Sequence, residues 1–372
     1  MSATGREQPP AAAPGDVAAT LAEAAFVRLV SDATGDALAG TGVLARALDA
    51  AGTPFQASVV APFADPDRTT DADVTVSVGR SPSSADHALS SRPAATAFEI
   101  ARELGTAAAS PLALAGTIAG GELDGSVAEA AEQAGLERRP GLAIPTADLA
   151  DGLAHSTLFR APFSGDEERT RATLAELDLP AEPTDDDHRR VASLVALAVT
   201  GADDAPPRAA DAVQRGLRPY AGGPFETIGG YADVLDAVAR ERPGVGVALA
   251  LGHDGVREDA LSAWRTHARR AHTAVSEATT GRYDGLFVAR GDAMPVGTVA
   301  RLAADFRAPE PVTLVVTDGE AAARATDGRD LTATMRAAAD AVGGRAVECG
   351  DCVRARFDVS TADLIEAFRE AL

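Results

Sequence analysis

Lysine and asparagine are both absent from the 372 residues, so all 34 basic side chains are arginine. Without lysine a G-x-x-x-x-G-K-[ST] phosphate loop cannot form, which excludes P-loop nucleotide hydrolysis. Aromatic residues are scarce, at 4%, while alanine carries much of a 46% hydrophobic content. An interior of small aliphatic side chains suits many short packed elements, and favours a layered α/β architecture over a sandwich. Long apolar runs are missing too. The longest, Val191 to Val199 and Val245 to Leu251, fall well short of the roughly 20 residues that cross a bilayer. No membrane partner is therefore expected. The first sixteen residues, rich in Ala, Pro and Gly, lack an apolar signal core, so a frayed tail and a cytoplasmic location are expected.

Only two cysteines occur, Cys349 and Cys352, in a C-x-x-C spacing. Such a pair is half a zinc site or a redox couple, but zinc needs two further ligands and a thioredoxin-like pair should open a helix. Val353 to Phe357 instead continues as an alternating strand, so incidental thiols are the favoured reading.

The formal charge is −21. An acidic, lysine-free surface holds hydration in very high salt, which points to a halophilic archaeon. At molar salt the Debye length is about 3 Å, so both repulsion from and attraction to phosphate are screened. Net charge alone does not select the partner.

A chain of this length suggests two domains. Phe26 to Asp32 reads as a buried strand, followed by an acidic turn and an amphipathic helix through Leu48. Phe55 to Val60 and Asp73 to Val78 are strand-like, whereas Ala94 to Leu104 and Ser126 to Gly135 have helical spacing. That alternation predicts a parallel sheet with crossover helices. Leu112 to Ala119 and Val191 to Val199 are buried elements of either type. Helices are expected near 168–177 and 187–199, a hinge at 201–207, and connecting helices over 208–217 and 231–240. The last third restarts with strands 285–290, 312–317 and 353–357, and helices 257–279, 299–306, 331–342 and 361–372. The expected layout is a disordered tail at 1–20, an α/β domain at 21–200, a linker at 201–243 and a smaller α/β domain at 244–372.

Carboxylates at the carboxyl end of a strand are where open α/β sheets collect ligands. Asp32 and Asp36 flank Gly35 there, and could share magnesium or manganese; alternatively Asp32 caps the following helix. Ser84-Ala85-Asp86-His87 offers an oxygen and a nitrogen ligand, or an exposed loop. His155, His188, His253, His267 and His272 match no zinc or hydrolase spacing. His267 and His272 lie among arginines on a helix whose charge suggests a solvated face. Gly343-Gly344 follows a helix, where one glycine would serve as the cap and the second suggests close backbone approach to a ligand.

The order of these features resembles the DHH phosphoesterase superfamily, in its archaeal RecJ-like branch, from Phe26 to the end. Family members open with His-x-Asp-x-Asp-Gly; the matching stretch is Asp32-Ala33-Thr34-Gly35-Asp36-Ala37, which keeps only Asp36. The second motif's aspartate falls where the chain reads Val76-Ser77-Val78-Gly79. The third, Asp-His-His, corresponds to Asp86-His87-Ala88. The fourth follows an apolar helix, where Gly120-Gly121 stands. A glycine-rich loop ending in histidine corresponds to Gly343, Gly344 and Arg345, which the resemblance assigns to nucleic-acid binding. The implied fold is an N-terminal parallel-sheet DHH-like domain with a smaller DHH-associated domain.

Two-metal hydrolysis needs cations about 3.5–4 Å apart. Asp32, Asp36, Asp86 and His87 would hold one at best, as a vestigial site for manganese or magnesium, or no cofactor at all. The resemblance thus implies a protein of DNA replication or repair that binds single-stranded DNA or RNA with weak or lost nuclease activity. It is similar to the inactive RecJ-like subunit that joins GINS and MCM. A manganese-dependent single-strand exonuclease and a small-nucleotide phosphoesterase are the alternatives.

Overall fold

The computed structural model describes residues 13–64, 71–80, 82 and 84–372. Helix α1 (Pro14–Glu23) leads into β1 (Val27–Asp32), α2 (Gly35–Ala51), β2 (Phe55–Val60), β3 (Val74–Val78) and β4 (His87–Leu89). Three helices follow: α3 (Pro93–Glu103), α4 (Ser110–Ala119) and α5 (Gly125–Gln133). The strands form one parallel sheet in the order β2-β1-β3-β4. Every residue of β1 is buried, as expected of a central parallel strand covered on both faces. The tail expected over 1–20 ends earlier than that. Pro14 starts α1, which buries Val17, Ala18 and Leu21, and the remainder of the expected tail, residues 1–12, lies outside the described residues.

The middle of the chain runs through β5 (Glu137–Arg138), α6 (Leu149–His155), α7 (Glu167–Ala175), α8 (Asp185–Thr200), α9 (Ala209–Gln214) and β6 (Tyr220–Ala221). It then passes to α10 (Ile228–Glu241), α11 (Pro243–Leu251) and α12 (Arg257–Glu277). Both undecided apolar segments are helices. In α4 the chain has Pro at the first turn, and α8 starts with a capping box in which Thr184 and Asp187 satisfy each other's backbone amides.

The last third holds β7 (Thr279–Tyr283), β8 (Leu286–Arg290), α13 (Val296–Phe306), β9 (Val312–Thr317), β10 (Glu320–Ala325), α14 (Thr332–Ala341), β11 (Arg345–Cys349), β12 (Cys352–Arg356) and α15 (Thr361–Ala371). Six strands pair in the order β11-β12-β10-β9-β8-β7, and only β8 and β9 are parallel. Two apolar clusters sandwich this sheet. On one face, α13 and side chains from residues 142–163 pack on Phe287, Val315, Ala322, Cys349 and Cys352. On the other, α14 and α15 cover Val288, Leu314, Val353 and Phe357. A separate core joins the N-terminal sheet to α10, α11 and α12.

Candidate functional site

A cleft of about 380 Å³ lies between the carboxyl edge of the parallel sheet and the C-terminal sheet domain. The β1–α2 turn supplies Asp32, Thr34 and Asp36; α10 supplies Asp236 and Arg240; α13 supplies Thr298 and Arg301; the β11–β12 hairpin supplies Glu348, Gly350 and Asp351. Thr34 caps α2 through its hydroxyl, which accepts from the Ala37 amide at 3.3 Å. The capping role open to Asp32 is therefore taken two residues later.

Each carboxylate facing this cleft from the turn and α10 already has a partner inside the protein. Asp32 is ion-paired to the Arg80 guanidinium. Burial raises its carboxyl above the ordinary range, and Arg80 opposes that shift. Asp36 accepts the Ala94 amide at 2.9 Å. Asp236 accepts the Gly35 amide at 3.0 Å and pairs with Arg240. Burial pushes the Asp236 carboxyl up, but Arg240 and Arg301 outweigh it and hold it below the ordinary range. On the rim, Asp124 caps α5 and pairs with Arg92 at 2.6 Å.

Two glycines close the remaining space. A Cβ on Gly79 would stand 2.8 Å from the Asp32 Cβ and 3.0 Å from its Oδ2, and one on Gly120 would stand 2.6 Å from the Asp36 Oδ2. Gly79 ends the stretch Val76 to Gly79, and Gly120 opens the Gly120-Gly121 pair, where the family resemblance would place two further aspartate ligands. Asp32 and Asp36 fill the room those side chains would need.

The third expected motif is elsewhere. His87 pairs with Val76 on β3, and Val76 pairs with Leu29 on β1, three residues before Asp32. At about 3.3 Å per residue and 4.8 Å per strand, His87 sits about 10 Å down the sheet and two strands across from Asp32. Asp86 is exposed and accepts the Thr75 amide at 2.8 Å. The structure brings Asp32 and Asp36 together and leaves Asp86 and His87 toward the opposite edge. Among the described residues, no three His, Cys, Asp or Glu side chains converge as metal ligands. The donor set does not fit a pair of divalent ions.

Gly343, Gly344 and Arg345 lie at the far end of β11 from the cleft. Gly343, with φ +70°, and Gly344 close α14 by donating to the Asp340 and Ala339 carbonyls. A Cβ on Gly344 would come within 2.5 Å of the Arg356 carbonyl oxygen. The second glycine thus serves a close approach of backbone to backbone. Arg345 is exposed at the start of the strand.

The solvated face expected for His267 and His272 is also corrected, since each is only 1% exposed. His267 bridges Glu241 and Thr298, both at 2.9 Å, and His272 Nε2 donates to the Ser156 carbonyl at 2.9 Å. Asp236, Arg240 and Arg301 were missed, because nothing in helical spacing alone shows which turn of α10 or α13 meets another domain.

Asp36 carries the clearest pH signature of the site. Burial raises its carboxyl to about 6, with the Ala94 amide and Arg92 opposing and Asp236 reinforcing the shift. A carboxyl raised in the folded chain keeps a proton that the unfolded chain releases, so its contribution to stability falls as pH climbs from about 4 through 6. Asp36→Asn keeps an oxygen for the Ala94 amide and removes the charge. It should stabilise the protein by about 2 kcal/mol near neutral pH, with the advantage gone by about pH 4. Denaturant titrations of both proteins across that range, compared as differences, test this; a constant offset would refute it.

The protein-family model described as "Uncharacterized protein rrnAC1427, C-terminal domain" matches residues 278–370. Over 374 aligned residues the chain is 75% identical to the protein rrnAC1427 of Haloarcula marismortui, covering 100% of both. That relative agrees with the halophilic source expected from composition. Among solved structures, CDC45 of Entamoeba histolytica matches with a TM-score of 0.61 and 10% identity, over 96% of this chain and 98% of that one. Thermus thermophilus RecJ in complex with Mn²⁺ matches with a TM-score of 0.50 and 14% identity, over 97% of this chain but 54% of RecJ. The chain thus spans about half the length of that RecJ. The shared feature is the fold: a parallel-sheet domain followed by a second sheet domain, as the RecJ-like DHH architecture requires. Among the described residues no helix is long and apolar enough to cross a membrane.

Proposed function

Since this chain belongs to the family of Haloarcula marismortui rrnAC1427 and has the RecJ-like DHH fold, we propose that it is a non-catalytic member of that fold, which binds single-stranded nucleic acid in the cleft between its two sheets. The observation that carries this reading is the occupation of the turn: Arg80 takes Asp32, the Ala94 amide takes Asp36, and Gly79 and Gly120 leave no room for further ligands. A guanidinium seated on a carboxylate supplies the positive charge that a cation otherwise would, so Asp32 and Asp236 are neutralised without metal. Internal pairing of Asp32, Asp124 and Asp236 also lowers the repulsion a phosphate chain meets there. Arg301, which lines the cleft and whose guanidinium donates to Thr157 at 2.8 and 2.9 Å, is the cation we assign to that chain. A scaffold role in DNA replication or repair, with GINS and MCM as protein partners, completes the reading.

The test is done in multimolar KCl on the full chain. A labelled single-stranded oligonucleotide should bind, as read by fluorescence anisotropy, and remain uncut with manganese or magnesium present. Manganese should leave the melting midpoint unchanged, since a folded-state ligand would raise it. Cation-dependent cleavage that Asp36→Ala abolishes would overturn the loss of catalysis, and failure to bind the oligonucleotide would overturn the nucleic-acid assignment. Co-purification from a halophilic host should recover GINS or MCM; their absence counts against the scaffold.

A further inference from the structure

The C-x-x-C pair is absorbed by none of this, and its place in the fold is specific. Cys349 ends β11 and Cys352 begins β12, directly opposite each other in the antiparallel register. Only Gly350 and Asp351 separate them, and Gly350 takes the positive φ, +64°, that a two-residue hairpin turn asks of its first position. Directly opposed antiparallel residues have Cα atoms about 4.5–5.5 Å apart, inside the span of about 4.4–6.8 Å that a disulfide bridges. Both side chains point to the same face of the sheet, into the same apolar cluster, and the Cys352 thiol donates to the Cys349 carbonyl at 3.3 Å. Both thiols are free.

We propose that Cys349 and Cys352 are a reversible redox-modification site, closing into an intramolecular disulfide at the tip of the hairpin that borders the cleft. The oxidant class is a low-molecular-weight disulfide. One cysteine, as thiolate, attacks a sulfur of the reagent and releases one small thiol; the other then attacks the mixed disulfide and releases the second. Two protons leave the cysteines, and the reagent takes up two electrons as it becomes two thiols. Cys352 lines the cleft, which gives the reagent its entry, although the two residues are only 7% and 5% exposed. Burial pushes the Cys352 thiol up to about 12 and also raises Cys349, with Arg240 and Arg354 opposing in both cases. Reaction is therefore slower than that of an exposed cysteine. A bond there would fix the turn whose Gly350 faces Thr34 across the cleft: a Cβ on that glycine would stand 3.5 Å from the Thr34 methyl.

The folded protein is incubated with oxidised glutathione at mildly alkaline pH in multimolar KCl, then denatured, alkylated and weighed by mass spectrometry. The expected product has lost two hydrogen atoms, resists alkylation and regains both thiols with dithiothreitol. Cys349→Ser and Cys352→Ser should each stop at a single glutathione adduct, because the resolving thiol is gone. Two persistent adducts on the wild-type chain, or two thiols still free after prolonged incubation, would overturn the proposal. None of these readouts depends on nucleic-acid binding, so they fail or succeed independently of the proposed function.

Discussion

Trp264→Ala is expected to lower stability by about 4 kcal/mol, in the range measured for large aromatic truncations in cores. The indole has no exposed surface and is the largest buried side chain. Its N–H donates to Asp233 Oδ2 at 2.8 Å, and that carboxylate, buried on α10, also accepts the Thr157 amide at 2.9 Å and the Thr157 hydroxyl. The ring stands edge-on to His155, with centroids 5.6 Å apart. Truncation would leave a void and strip one donor from a buried acidic group, whose desolvation is then less compensated. Trp264→Phe should separate the two effects, keeping most of the volume and losing about 1–3 kcal/mol with the donor. Because Trp264 is the only tryptophan, unfolding should be followed by circular dichroism. An alanine variant within about 1 kcal/mol of the wild type would show that the site collapses far more readily than its packing implies.

Gly230→Ala is expected to cost about 3 kcal/mol through overpacking. A Cβ at this position in the first turn of α10 would lie 2.2 Å from the Ile144 carbonyl carbon and 2.3 Å from both its oxygen and the Pro145 nitrogen. These are backbone atoms, which cannot rotate away as a side chain can. They are also fastened: the Thr227 hydroxyl donates to the Ile144 oxygen at 2.8 Å while accepting the Gly230 amide at 2.9 Å. Since α10 carries Asp233, Asp236 and Arg240, the strain would reach the cleft as well as the core. Gly244→Ala is the control. A Cβ there meets nothing within 4 Å, and alanine in a helix should be neutral or stabilising by up to about 1 kcal/mol. Equal midpoints for the two variants in denaturant would remove the close approach as the cause.

The β1–turn–α2 unit was legible because its signals are local: a strand rich in valine and leucine, an acidic turn, and a helix rich in alanine and leucine. Asp32 and Asp36 could be placed at one strand end on that basis alone. β10 was not legible. Its sequence, Glu-Ala-Ala-Ala-Arg-Ala, holds no β-branched or aromatic residue, and it is a strand because Ala321 to Ala323 fit between two neighbours in a buried sheet. β7 has no counterpart in the sequence reading, whose helix ends at 279, although the Asp284-Gly285 turn that follows is a recognisable hairpin signal. Asp86 and His87 were grouped with the acidic turn because strand register cannot be read from one strand at a time. The pairings of β3 show them at the other level of the sheet. The sequence alone reads Cys349 and Cys352 as incidental thiols, because only the pairing of β11 with β12 sets them face to face.

Gly79 and Gly120 also bear on how this chain can change. Their neighbours Asp32 and Asp36 have settled into the volume that two longer residues would claim. A side chain placed at either glycine alone would collide with a carboxylate already engaged by its own guanidinium or amide. Adding a ligand there would have to move both halves of each contact at once. The cleft is therefore closed to such a change by shape as much as by the letters of its motifs.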